Sequence, residues 1–243
     1  MLKALIFDVD GTLADTEAVH LAAFNHAFAH EGLDWHWTPE AYTRLLEVSG
    51  GKERMLHHWR TVQPDLKELD AGAVRATVDR MHEIKTAWYE NAVLQGAVQL
   101  RPGVLALMEE ARAQGLGLAI ATTTSPVNIA ALLRQAMGDD WRTHFLAVGD
   151  GSSAPNKKPH PQVYLQVLGQ MNMPAAHCVA FEDSANGLKA ARGAGLETII
   201  TPNAFTAHHD FTGALKVLPD LASLRLAHLK AWLAETHLAT ERR

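Results

Sequence analysis

Cysteine occurs once in 243 residues, as Cys178. A single thiol closes no internal disulfide and builds no Cys-based zinc site, and the simplest reading is a reducing, intracellular compartment. The apolar run after Lys3 stops at Asp8, too short for a membrane helix or the core of a signal peptide. No membrane association is expected, and a cytoplasmic location is, or a plastid stroma if a transit peptide has been removed. Basic charge is not in excess: 22 Lys and Arg stand against 27 Asp and Glu, for a formal charge of −5. That balance speaks against a nucleic-acid partner. The chain has 14 histidines but no His-Glu-x-x-His, and His57-His58 and His208-His209 read as solvated surface. Internal repeats and low-complexity tracts are absent. The length fits one large domain, or one domain carrying a smaller one, with a substantial core.

What is present begins at Ala4. Ala4 to Phe7 is a continuous apolar run, the pattern of a strand buried on both faces of a parallel sheet. Asp8 and Asp10 follow one residue apart, Gly11 allows a sharp turn, and Asp15-Thr16 offers a helix N-cap. Ligands of open α/β sheets bind at the carboxyl ends of strands, so paired acids stand where chemistry is expected.

Residues 16 to 95 read as helical throughout. A first helix runs from Glu17 to His30, with Leu21, Phe24 and Phe28 at helical spacing and Glu31-Gly32 closing it. An aromatic loop, Asp34 to Trp37, leads to a helix with Pro39 at its first position. Ser49 to Arg54 interrupts the pattern, Met55, Leu56 and Trp59 mark a third helix, and Asp70 is expected to cap a long fourth. From Arg101 strands and helices alternate. Strands are expected at Leu116–Ala121, Phe145–Val148, Cys178–Phe181 and Thr198–Ile200, with a closing surface helix over Leu221–Leu238. The alternation predicts a parallel sheet with right-handed crossovers, interrupted after its first strand by a helical insertion.

Four strand ends would then carry polar residues: Asp8/Asp10, Thr122/Thr123, the loop around Lys158, and Glu182/Asp183. Clustered carboxylates call for a hard cation, and oxygen-only ligands suit Mg²⁺. Lys158 adds a positive charge for an anionic substrate. Thr122 offers a hydroxyl, Thr123 a backbone N–H, and Ser125-Pro126 opens a helix whose N-terminus favours an anion. Singly, these are a strand-end threonine, a surface lysine and a helix-capping acid pair; jointly, each after a strand, they describe a phosphate-ester site. Gly50-Gly51-Lys52 is no nucleotide-binding loop, because Leu46 and Glu53 stand where Gly and Ser or Thr are required.

Phe-Asp-Val-Asp-Gly-Thr, Ala-Thr-Thr-Thr, Lys-Lys-Pro and Phe-Glu-Asp-Ser-Ala-Asn-Gly resemble, in order, the four motifs of the haloacid dehalogenase (HAD) superfamily. The resemblance implies an α/β fold: a Rossmann-like parallel-sheet core over 1–15 and 96–243, with an all-helical cap inserted over 16–95. It implies Asp8 as nucleophile, Asp10 as general acid/base, and Thr122 and Lys158 as holders of the transferring phosphoryl group. Mg²⁺ would be bound by Asp8, Asp10 (through its carbonyl) and Asp183, supported by Glu182. Aspartate at position 10 is similar to the phosphatase and phosphomutase branches rather than the ATPases. Val-Ser-Gly-Gly-Lys-Glu-Arg and the Trp-His-Trp loop further resemble the CbbY-like group. That group is associated with the Calvin cycle and dephosphorylates xylulose 1,5-bisphosphate. The implied protein is a monomeric phosphatase of a small phosphorylated sugar. Its rivals are a β-phosphoglucomutase, a phosphatase of another metabolite such as phosphoglycolate, and a catalytically silent phosphate-binding relative. The rest of the substrate would be read by Glu17, His20, Gly50, Gly51, Lys52, Arg54 and Lys85, with Thr123 and Thr124 from the core.

Overall fold

The computed structural model describes residues 1–63 and 71–241. Its sheet is built from β1 (Ala4–Phe7), β2 (Gly117–Ala121), β3 (Ala147–Gly149), β4 (Cys178–Glu182), β5 (Glu197–Ile200) and β6 (Lys216–Val217), all parallel, in the order β3-β2-β1-β4-β5-β6. This is the expected α/β architecture. β1 is central and wholly buried, pairing Phe7 with Ile120 on one side and Phe181 on the other. The chain winds outward from β1 through β2 and β3, then returns to β4 beside it. The switch point therefore falls between β1 and β4, the usual position of a ligand crevice.

Helices cover both faces of the sheet. On one side lie α5 (Val104–Ala113), α6 (Pro126–Met137) and α9 (Leu226–Glu241), which bury Leu107, Leu132 and Leu229 against Leu5 and Phe7. On the other lie α7 (Gln162–Met171) and α8 (Ala185–Gly193), with Val163, Tyr164 and Ala191 against Ile6 and Ala180.

Between β1 and β2 lies a block of helices, α1 (Glu17–His30), α2 (Pro39–Leu45), α3 (Gly51–Val62) and α4 (Ala71–Leu94). It has its own apolar cluster around Phe24, Phe28, Trp37, Tyr42, Met55 and Met81. The aromatic loop belongs to this core: Trp37 is buried, and Asn25 exchanges two hydrogen bonds with its backbone at 2.9 and 2.8 Å. The far end of α4 leaves the block, since Tyr89 and Val93 pack into the sheet-face cluster with Val104 and Phe7.

Several boundaries differ from expectation for local reasons. With Gly50 at φ 95° as its N-cap, α3 begins at Gly51, earlier than expected, so Lys52 and Arg54 stand in a helical first turn and not in an irregular loop. Thr16 occupies the N-cap of α1 without capping it through its side chain, and Asp15 instead meets Arg101 at 3.4 Å. A 3-10 turn over Trp141–His144 delays β3 to Ala147. Leu221–Arg225 precedes α9 as an irregular segment tied by Leu221 N–H to the Pro102 carbonyl at 3.1 Å. β6, two exposed residues, has no alternation to read. The expected cap Asp70 lies outside the described residues. Among those residues no helix is long and apolar enough to cross a membrane.

Candidate active site

Asp8 ends β1 at the switch point, its N–H bonded to the Phe181 carbonyl of β4 at 3.0 Å. Its carboxylate is buried and receives Lys158 Nζ at 2.6 Å and the Thr12 hydroxyl at 3.3 Å. Lys158 reaches across from the loop before α7. It also donates to Glu182 Oε1 at 2.6 Å and to the Ala121 carbonyl at 2.9 Å, which joins the ends of β1, β2 and β4. Tyr164 donates its hydroxyl to the same Glu182 oxygen at 2.5 Å, and Asn203 Nδ2 holds Asp183 Oδ2 at 2.8 Å.

Acid outnumbers base in this cluster. Burial raises the Asp8 carboxyl above its ordinary value; Lys158 opposes the shift and Asp10 adds to it. Burial pushes Glu182 up to about 7, opposed by Lys158 and reinforced by Asp8. Asp183 is raised well above the usual range by burial and then by the charges of Asp8 and Glu182. Burial disfavours the Lys158 ammonium, but Asp8 and Glu182 outweigh it and hold the group above the ordinary lysine value. The surplus is negative, and Asp8, Glu182 and Asp183 present oxygen atoms within 4.8 Å of one another. A Cβ on Gly11 would lie 2.4 Å from Asp183 Oδ2, so glycine keeps that side open. A buried, oxygen-only, anionic donor set fits a hard divalent cation.

The Asp10 carboxylate does not join the trio. Its Oδ1 lies 2.8 Å from His20 Nε2, and His20 Nδ1 lies 2.8 Å from Lys85 Nζ. An ammonium has no lone pair, so Lys85 donates to Nδ1 and the imidazole carries its hydrogen on Nε2, toward Asp10. Tyr89 stacks on the ring at 4.2 Å. Burial would raise the Asp10 carboxyl, yet His20 and Lys85 outweigh it and hold the group below the usual carboxylate range. Burial brings Lys85 down to about 8, with Asp10 opposing and Arg54 reinforcing. Two expectations change as a result. In this arrangement neither ring nitrogen of His20 is free for a sugar hydroxyl, and Lys85 serves His20 instead of facing a ligand directly.

Above this floor is a cavity of about 410 Å³, within the ~300–1,000 Å³ usual for small-molecule sites. One wall is Thr122 to Pro126. The Thr122 hydroxyl accepts the Thr124 N–H at 3.3 Å, and Ser125 caps α6 by accepting the Asn128 N–H at 3.3 Å. The opposite wall is the helical block. There Glu17 accepts the Tyr42 hydroxyl at 2.7 Å, and Tyr42 accepts from Arg54 Nη1 at 3.1 Å. Arg54 is 9% exposed and sits over the Tyr42 ring. Its Nε donates to the Leu45 and Val48 carbonyls at 3.1 and 3.3 Å, while Nη2 makes no hydrogen bond among the described residues. Gly50, Gly51 and Lys52 line the same wall, Lys52 in an exposed ion pair with Asp79 at 2.6 Å. Asn186 at the start of α8 holds this wall to the core, donating to the Glu47 carbonyl at 2.9 Å and to Ser49 Oγ at 3.3 Å.

The structure thus brings every expected site residue to one cavity, the pairings of His20, Lys52 and Lys85 being the qualification. Sequence reasoning passed over Tyr164, Asn203, Tyr42 and Asn186. Tyr164 and Tyr42 sit at apolar helix positions whose hydroxyls have no periodic signature, and Asn203 lies in a loop after β5.

The family described as haloacid dehalogenase-like hydrolase matches residues 2–195. Protein CbbY (plasmid) of Cupriavidus necator is 54% identical over 220 residues, covering 90% of this chain and 86% of the relative. CbbY of Rhodobacter capsulatus is 45% identical over 91% of this chain and 95% of the relative. Among solved structures, an aspartate-to-asparagine mutant of CbbY from Rhodobacter sphaeroides in complex with xylulose-(1,5)bisphosphate superimposes with a TM-score of 0.85. It is 40% identical, over 93% of this chain and 98% of that one.

Proposed function

The chain belongs to the haloacid dehalogenase-like hydrolases and is a phosphatase, and from that premise we propose that it hydrolyses a sugar bisphosphate, xylulose 1,5-bisphosphate foremost, through a phosphoryl group carried on Asp8. The observation that carries this reading is a buried arginine with an unspent donor, Arg54 Nη2, in the same cavity as Asp8 and Lys158. Lys158, Thr122 and the start of α6 suit the phosphoryl group to be cleaved; Arg54 suits a second one, which a guanidinium can bind bidentately. The relatives named above support the substrate. The helical block acts as the cap that reads it.

In the first step an Asp8 carboxylate oxygen forms a bond to phosphorus as the bond to the sugar oxygen breaks, and the departing alkoxide takes a proton from Asp10. Asp10 rests ionised, so that proton is drawn through His20 Nε2–H and replaced at Nδ1 by Lys85. In the second step Asp10 removes a proton from water, which attacks phosphorus and frees Asp8, and that proton passes back through His20 to Lys85. Asp8, Asp183 and the Asp10 carbonyl would hold Mg²⁺, with Glu182 behind them; when bound, the ion screens carboxylate from phosphate.

A panel of sugar mono- and bisphosphates with Mg²⁺ tests the proposal. The expected product is free phosphate, released with the highest kcat/KM from xylulose 1,5-bisphosphate. A rearranged sugar phosphate in its place refutes hydrolysis in favour of a mutase.

Two further expectations arise here. Mg²⁺ should raise the melting temperature, and more at about pH 8 than at about pH 6, because metal binding expels the protons that the raised carboxyls retain at lower pH. Scanning calorimetry showing no Mg²⁺ dependence would exclude the cluster as the metal seat. The second concerns Lys85. Loss of its proton as pH rises through about 8 empties the relay, so turnover of alkyl phosphates should fall there, while aryl phosphates, which leave unprotonated, should be spared. Identical profiles for the two classes would remove Lys85 from the relay.

A further inference from the structure

His82 is a cavity residue with no part in the scheme above. It stands on α4 one turn before Lys85, so both side chains share a face. It is half-buried and makes no hydrogen bond among the described residues. Its ring lies against the first residue of α3: a methyl group on Gly51 would sit 3.0 Å from both Cδ2 and Nε2. Packing alone would be served by an apolar side chain; an imidazole whose nitrogens meet no protein partner keeps them available to solvent or to a ligand in the cavity.

The groups around it show what it lacks. Burial, then Lys85 on α4, Lys52 on α3 and His20 on α1, keep the ring neutral, down at about 3; Asp79 on α4 is the one opposing charge. The adjoining start of α3 has no side-chain cap, since Gly50 occupies that place. The Glu53 carboxylate lies against Gly50 at this helix start, and an anion held by Lys52, Arg54 and Lys85 beyond it would reverse the local charge that keeps the ring unprotonated.

We infer that His82 is a specificity-determining residue that grips the distal phosphoryl group of the bisphosphate, taking a proton from solvent onto its imidazole as the substrate binds. The inference rests on the bisphosphate reading and adds to it a residue and a proton. A neutral ring spares the empty cavity another cation beside Lys52, Arg54 and Lys85. The protonated ring then supplies a charged donor only when the second phosphate is there to need one. A monophosphate, held at the Asp8 end, gives it no such partner.

The test counts protons. Calorimetric titration of the Asp8→Asn chain with xylulose 1,5-bisphosphate and with xylulose 1-phosphate, which lacks the second phosphoryl group, in buffers of different ionisation enthalpy, gives the protons taken up with each. The bisphosphate is expected to bring close to one more proton than the monophosphate, and His82→Gln to abolish that difference. In the otherwise unaltered chain, His82→Gln is expected to lower kcat/KM for the bisphosphate about tenfold more than for the monophosphate, chiefly through KM, as loss of a charged hydrogen bond does. Equal proton counts for the two ligands, a count unchanged by His82→Gln, or equal kinetic losses would each overturn the inference. Equal counts on the chain that keeps His82 overturn the inference even if the variant does not fold. Absence of any bisphosphate preference in the unaltered chain would defeat the functional reading as well; a preference that persists without His82 defeats this inference alone.

Discussion

Asp8→Asn is expected to reduce phosphatase turnover by about 10⁴-fold or more while the protein stays folded. The amide has the shape of the carboxylate but no nucleophilic oxyanion, and no other carboxylate is placed to substitute. Asp10 faces His20, Glu182 Oε1 is occupied by Lys158 and Tyr164, and Asp183 is held by Asn203. Folding should not suffer, because the change removes one of three mutually repelling acids while Lys158 keeps Glu182 and the Ala121 carbonyl. Melting temperature and near-UV dichroism check the fold, and phosphate release checks the loss. Substantial turnover in a folded, purified Asp8→Asn chain would refute the assignment.

Lys158→Met should damage both activity and stability. The ammonium is buried between Asp8 and Glu182 at 2.6 Å from each. Removing one member of a buried ion network leaves the others uncompensated, which costs about 3–5 kcal/mol. Loss of a positive charge beside the transferring group should lower kcat by about 10²–10³-fold. The stability loss has a pH signature. Glu182 has a folded value of about 7, above its ordinary 4.5, so below pH 7 the folded protein already holds a proton there. The deficit should therefore shrink as pH falls through 7 and be full above it. Urea denaturation of the metal-free protein across this range is the check; a loss under about 1 kcal/mol at every pH would mean that Lys158 does not hold the cluster together.

Arg54→Ala extends the same logic to the other wall. Its kcat/KM loss should be larger for a bisphosphate than for a monophosphate of similar size by about 1.5–3 kcal/mol, the scale of a charged hydrogen bond. An equal loss would indicate general damage to the Tyr42–Glu17 network that Arg54 supports.

The core of this site was legible because a few short stretches carry it. An apolar run that ends in Asp8 must be a central strand, and Thr122, Lys158 and Glu182 each follow or adjoin another strand. What escaped was pairing across distance. Asp10 and His20 are near neighbours in sequence, but Lys85 lies 65 residues beyond His20, and nothing in a helical pattern says that two buried polar groups point at each other. The same holds for Tyr164 on Glu182 and Tyr42 on Arg54, where an aromatic residue reads as core and its hydroxyl stays invisible. Gly50-Gly51 looked like an irregular interruption because glycine is a poor helix former; in fact the positive φ of Gly50 launches α3 and places Arg54 beneath the cavity.

The most direct test follows the phosphoryl group itself. Excess protein is mixed with xylulose 1,5-bisphosphate and Mg²⁺ in ¹⁸O-water, quenched in acid at increasing times, and its peptides and released phosphate are analysed by mass spectrometry. The account predicts a transient phosphoryl adduct on the peptide containing Asp8, formed as the sugar monophosphate appears and decaying into phosphate that carries one oxygen from the labelled water. Labelled phosphate appearing at its full rate with no adduct on Asp8, or an adduct on a different residue, would contradict it.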